Sequence, residues 1–317
     1  MLILWFFTCL IGMLVALLPE LGFVLSLIWG VSLIIGARYV EWWQLGLLVF
    51  TGLALYFFGL ELNHFCALLL LLSPIFLMAA WFNRGGDYHR VRRMGVLTAV
   101  LATLIYLGVA FPLLEGVNYS TYRSQVEAQI QEFLDDPSQQ PLWDLYAAQG
   151  LDQATIQASL QQSFVFVSHL IPALNAMMFA GYALLTLALS RLLARLRKWD
   201  ILNKTPFIEE RMPWPAVWIF IAGLALTLLG WGNYNYLFYS GMNVLIFLLP
   251  FCCYYGLADF VRRLRPVAVG LRVAVIVGMS LLFLIMPPSV VLVIAMAGLL
   301  TTLFDRGEKE KKEERIR

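Results

Sequence analysis

Long apolar runs alternate with short polar gaps along this chain. Ten runs stand out, at about 2–18, 21–37, 44–60, 64–82, 95–114, 164–190, 214–232, 237–261, 267–286 and 288–304. A helix needs roughly 20 apolar residues to cross a hydrocarbon core about 30 Å thick. The pattern therefore predicts an all-α, polytopic helical membrane bundle. Two neighbouring pairs are divided only by Pro19-Glu20 and by Pro287-Pro288. Their runs reach about 25 Å as helices. Each pair reads as two crossings, as a tight hairpin or as a re-entrant element, which gives eight to ten transmembrane segments. The chain divides into a transmembrane half at 1–114, a polar insertion at 115–163, a second transmembrane half at 164–304 and a charged tail at 305–317.

Charge gives the pattern a direction. Apart from Arg123, the Lys and Arg residues occupy every second gap. Arg38 follows the second run, and Arg84, Arg90, Arg92 and Arg93 follow the fourth. Arg191 to Arg211 follow the sixth, Arg262 to Arg272 the eighth, and Arg306 to Arg317 the tenth. The opposite gaps hold Glu20, Glu61, the acidic insertion and Asn233 to Tyr236. Cationic flanks stay cytoplasmic, so a multi-pass protein of the plasma (inner) membrane with both termini cytoplasmic is expected. The first run lacks a basic leader and a small-residue cleavage site, and it reads as a span rather than a signal peptide.

Composition closes off soluble classes. The chain is 61% hydrophobic and 13% charged, with a mean hydropathy of +0.78. Its net charge of +2 sums two oppositely charged faces and points to no nucleic-acid partner. The tail interleaves Glu with Lys and Arg, the pattern of a solvated helix with i,i+4 pairs near the headgroups.

The insertion carries seven acids against Arg123. Val126, Ile130 and Phe133 or Leu134 recur at helical spacing, and Asp135-Asp136-Pro137 stops that helix. Leu142 to Tyr146 form a short segment ending at Gly150, and Asp152 caps a further helix that leads toward the sixth run. Two readings stay open: an extracytoplasmic amphipathic hairpin on the membrane surface, with Trp143 and Tyr146 at headgroup depth, or a lid over an outward cavity.

Polar residues inside apolar runs are the informative ones. His169, Pro172 and Asn175 recur every third position in the sixth run, and Pro172 is expected to kink it. Tyr239 and Asn243 lie four apart in the eighth, Tyr106 in the fifth, and His64 opens the fourth. By the charge rule these six side chains (His64, Tyr106, His169, Asn175, Tyr239 and Asn243) sort to the extracytoplasmic side. They form the candidate ligand-binding set, and interhelical hydrogen bonding is their simpler explanation. Asp259 is accounted for by Arg262 and Arg263 at the inner end of its run.

Catalysis finds little support. Gly-x-Ser-x-Gly, His-Glu-x-x-His and Walker patterns are absent from the sequence, so no enzyme and no cofactor is expected. Cys9, Cys66, Cys252 and Cys253 all lie in apolar runs without ligand spacing, and neither a disulfide nor a metal site is expected. There is no nucleotide-binding segment, and span centres lack the Asp or Glu that couples ion movement.

Lys204-Thr205-Pro206-Phe207, then Arg211-Met212-Pro213, Trp218, Asn243 and Gly256-Leu257-Ala258, resemble the YybS-like family of predicted bacterial membrane proteins, a family without an assigned activity. The likeness runs over about 165–300. That family is in turn distantly similar to the substrate-binding S components of energy-coupling-factor transporters. This resemblance implies a solute-binding transport subunit with an outward polar pocket, relying on a membrane coupling partner for energy. The alternative is a membrane scaffold that binds partners through its cytoplasmic loops, with no small-molecule ligand.

Overall fold

The computed structural model describes residues 2–57, 62–110, 153–199, 206–232 and 234–316, with Leu202 and scattered positions between 112 and 145. At some helical positions, His64 and residues 305–316 among them, it describes the backbone alone. Among the described residues, every apolar run forms helix. The described helices are α1 (Leu2–Leu17), α2 (Gly22–Gly36), α3 (Trp42–Phe57), α4 (Leu62–Asn83), α5 (Tyr88–Ile105), α6 (Gln153–His169), α7 (Ile171–Leu196), α8 (Trp214–Gly230), α9 (Asn235–Leu264), α10 (Val269–Ile285) and α11 (Pro287–Ile316). No strand occurs among the described residues.

Tyr88–Ala110, Ile171–Leu196, Asn235–Leu264 and Pro287–Phe304 are long and apolar enough to cross a membrane. Ile3–Val15, Gly22–Gly36, Leu68–Asn83, Trp214–Gly230 and Val269–Ile285 are apolar but shorter. Many large aliphatic side chains face outward, Ile3 at 85% and Leu284 at 77% exposure among them. A surface so apolar is stable against lipid, not water.

The sixth run departs from expectation. It forms two helices that part at Leu170, whose N–H bonds the Val167 carbonyl at 2.9 Å. Pro172 therefore sits in the first turn of α7, where a missing N–H costs nothing, instead of kinking a helix interior. Asp152, expected as a cap, lies outside the described residues, and α6 begins at the next position. Most of the insertion, Trp143 and Tyr146 included, also lies outside them. At its expected helix stop the Ser138 N–H donates to Asp136 Oδ1 at 2.8 Å, and this bond holds the Asp136 carboxyl below its usual range.

The chain forms two compact units, Met1–Lys204 and Thr205–Arg317. In the first, α2 packs on α1, α4 and α7, and α5 packs on α4 and α7. Trp29, Ile34, Ile75, Met78 and Val91 are fully buried there. Whereas the buried Thr8 hydroxyl has no partner among the described residues, several hydroxyls inside this bundle bond to their own helices, Thr186 to the Tyr182 carbonyl at 2.9 Å and Ser190 to the Thr186 carbonyl at 2.8 Å. Helices in lipid must satisfy polar groups internally in this way.

Side-chain pairs also give the directions of these helices. Ile75 and Thr186 both close on Gly30, and Asn83 Nδ2 donates to the Ala37 carbonyl at 2.6 Å. The Arg191 guanidinium lies 5.7 Å from the centroid of the Tyr88 ring. So α2, α4 and α7 end, and α5 begins, at one common end of the unit. Arg38, Arg84, Arg90, Arg92, Arg93 and Arg191 gather there.

In the second unit α9 packs on α8 and α11, and α10 packs on α11. Cys253 with Val291 and Gly256 with Ile294 show that α9 and α11 run parallel. Gly230 against Phe238 shows that α8 runs antiparallel to α9. Arg211, Arg262, Arg263, Arg265 and Arg272 therefore share one end of this unit. The sorting of charge to one end is thus a property of each unit.

Candidate functional site

The six candidate ligand residues divide between the units. His64, Tyr106, His169 and Asn175 belong to the first, Tyr239 and Asn243 to the second. Tyr106 opens a π-helical turn, Tyr106–Ala110, and its ring lies 6.3 Å from that of buried Phe179. Asn175 is one turn before Phe179 on α7, and His169 is the last residue of α6. These three lie toward the end opposite the arginines. His64 stands in the first turn of α4, its side chain outside the described residues. The Asn243 side chain donates to the Tyr239 carbonyl of its own helix at 2.8 Å, which meets one of its donors locally.

A second polar cluster exceeds what spacing alone indicated. Asp259 is 5% exposed. It accepts from Arg262, from Arg263 Nε at 2.7 Å and from Thr301 Oγ1 of α11 at 2.7 Å. The ion pairs were legible as i,i+3 and i,i+4 neighbours; Thr301 was not, being 42 residues away. The cluster joins α9 to α11 as well as discharging a local charge. Just above it Gly256 and Gly298 let the two backbones touch, since a Cβ at Gly298 would stand 2.6 Å from the Cys252 carbonyl oxygen.

The other face of α9 borders a cleft of about 1050 Å³. Leu257, Phe260, Val261 and Leu264 recur at helical spacing and form one wall. Ile276, Met279 and Phe283 of α10 form the facing wall, and Val290 and Ile294 of α11 line it as well. The polar lining is Glu209, Arg265, Arg272 and Ser280, and the first three belong to the arginine end. Arg272 is anchored by Nη2 bonds to the Arg265 and Val267 carbonyls, at 2.7 and 3.1 Å. Its buried Nε has no hydrogen-bond partner. The Ser280 hydroxyl turns back to the Ile276 carbonyl at 2.9 Å. From Arg272 to Phe283 the α10 wall rises about 16 Å at 1.5 Å per residue, close to half of a hydrocarbon core.

Sequence reading missed this cleft. Arg272 was grouped with the neighbouring basic gap, although it stands inside the run 267–286. A cation within an apolar run was the available signal. Its significance depends on which helix α10 faces, and that is not written in spacing.

The loop before α8 is also part of this unit. The Phe207 and Tyr254 rings lie 5.0 Å apart, and Met212 is 4% exposed in the α8–α9–α11 core.

Fold, surface and lining together define a polytopic helical membrane protein with a largely apolar cleft in its second unit. The chain belongs to the family described as "Predicted membrane protein (DUF2232)", which it matches over residues 6–306. The match includes the N-terminal half, well beyond the stretch from the sixth run onward that carried the resemblance. No curated protein and no solved structure matches the chain.

Proposed function

We propose that this membrane protein is a ligand-binding subunit that takes an amphiphilic molecule into the cleft of its second unit. It acts by binding, without catalysis and without an energy module of its own. The carrying observation is the cleft itself: long apolar walls with Arg265, Arg272 and Glu209 grouped at one end. That lining complements a molecule with an apolar body and a polar head. Inner-membrane placement with the arginine ends cytoplasmic is part of the proposal, supported by the sorting of charge within each unit.

Fluorescence of a membrane probe with an apolar tail and a charged head, titrated into nanodisc-embedded protein, tests it. Saturable binding is expected, and Ser280→Trp, which puts an indole into the cleft, should weaken it. Unchanged saturable binding in that variant refutes the cleft as the site.

A solute-binding, S-component-like site on the far side is the second reading, favoured by the helix break at Leu170. Broken helices expose backbone groups at membrane depth and often mark transporter sites. His64, Tyr106, His169, Asn175, Tyr239 and Asn243 are its proposed contacts. A metabolite screen by thermal shift should find a ligand that both His169→Ala and Asn243→Ala weaken. A ligand shift left unchanged by both variants refutes these residues as its contacts. The scaffold alternative requires a stoichiometric partner lost on deleting 199–213 or 306–317. Phe207 and Met212 are held within the second unit's own packing, so the tail deletion is the cleaner test.

A further inference from the structure

The lining of the cleft narrows the class of its occupant. Two guanidiniums and one carboxylate leave a single positive charge at the arginine end, which suits a monoanionic head. Arg272 is oriented for such a head before anything binds. Its Nη2 is committed to two carbonyls of the α9–α10 turn, while Nε lies buried and unpartnered on a side chain that lines the cleft. A buried donor without a partner carries a free-energy penalty that an anionic oxygen would remove. Arg265 is exposed at the same end, and among the described residues its guanidinium donates no hydrogen bond, so its charge is available.

Beyond the arginines the lining is almost wholly apolar, and Ser280 has already turned its hydroxyl to its own helix. The walls run for about one leaflet's depth. No residue of α10 is buried, so this wall of the cleft faces the surroundings directly. In a bilayer those surroundings are lipid. Basic pockets between transmembrane helices on the cytoplasmic side are suited to phosphate head groups.

Resting on the cleft reading above, we propose that the occupant is a glycerophospholipid of the bilayer, its phosphate held by Arg272 and Arg265 and an acyl chain lying between α9 and α10. The phosphate diester supplies the single negative charge and the acceptor oxygens that Arg272 Nε lacks. The chain fills volume that the helices leave open.

Native mass spectrometry of the whole protein, released from nanodiscs containing phosphatidylglycerol or neutral diacylglycerol with the same acyl chains, tests this. One phosphatidylglycerol should be retained, and diacylglycerol should be lost at the same collision energy. Arg272→Gln should reduce retention about tenfold. Arg265→Gln, which leaves the turn's hydrogen bonds intact, should reduce it severalfold with an unchanged melting temperature. Equal retention of diacylglycerol, or full retention in both arginine variants, overturns the phosphate assignment and leaves an apolar-ligand cleft standing. Retention unchanged by Ser280→Trp places the lipid elsewhere and removes the cleft reading along with it.

Discussion

On one side of α9, backbones meet: Gly256 and Gly298 bring α9 against α11, and the Asp259–Thr301 bond pins the crossing. On another, Phe260 and Leu264 look across about 1050 Å³ of open space toward Ile276 and Met279. Both sides are apolar, so hydrophobicity does not explain why one closed and the other did not. In lipid, burying a leucine against a neighbouring helix gains little over burying it against acyl chains. Closure needs small residues that admit dispersion contact between backbones, or polar groups that must find partners. The α11 side has both. The α10 side has bulky aliphatic walls, and Arg272 is tied to its own turn.

The difference can be broken most directly at Gly256. A Cβ there would run into the Ile294 carbonyl oxygen. Gly256→Val should separate α9 from α11 and cost about 3 kcal/mol, read as a large fall in melting temperature in detergent. A variant that melts like the parent would show that backbone contact does not hold the crossing. Asp259→Ala should have the next largest effect. It strands Arg262, whose side chain is only 29% exposed, and removes the 2.7 Å bond from Thr301, leaving only the 3.4 Å contact from Arg263 Nη2 between the two helices there. The expected loss is about 2 kcal/mol, below that of a fully buried pair because the Arg263 side chain is 70% exposed and free to reach headgroups. Asp259→Asn, which retains an acceptor for Thr301, should recover part of it. The smallest effect belongs to Gly278 of α10, where a Cβ meets nothing within 4 Å. Gly278→Ala should gain about 0.5 kcal/mol from helix propensity. A clear loss there would mean that the Gly278 face of α10 is packed against something after all.

The helices were legible because the hydrocarbon core imposes a length and a polarity that each run must meet alone. The ion pairs of Asp259 with Arg262 and Arg263 were legible for a similar reason, since i,i+3 and i,i+4 neighbours meet in any helix. Pro172 reads as a kink within one helix, whereas the structure has two helices that part at Leu170. Pro172 marked a discontinuity correctly, but proline is as much at home in the first turn of a helix as at a kink. Thr301, the Gly256–Gly298 contact and the cleft were not legible, because each depends on the partner helix and its register.

Sequence by itself determined that the chain is a multi-helix membrane protein, where its helices run and how its cations sort along them. These are one-dimensional properties, set by each segment's exchange between water and lipid. Only the tertiary structure decided which face of α9 is sealed and which is left open. Nearly every face here is equally apolar, so the choice falls to a few small and polar residues whose partners lie far along the chain.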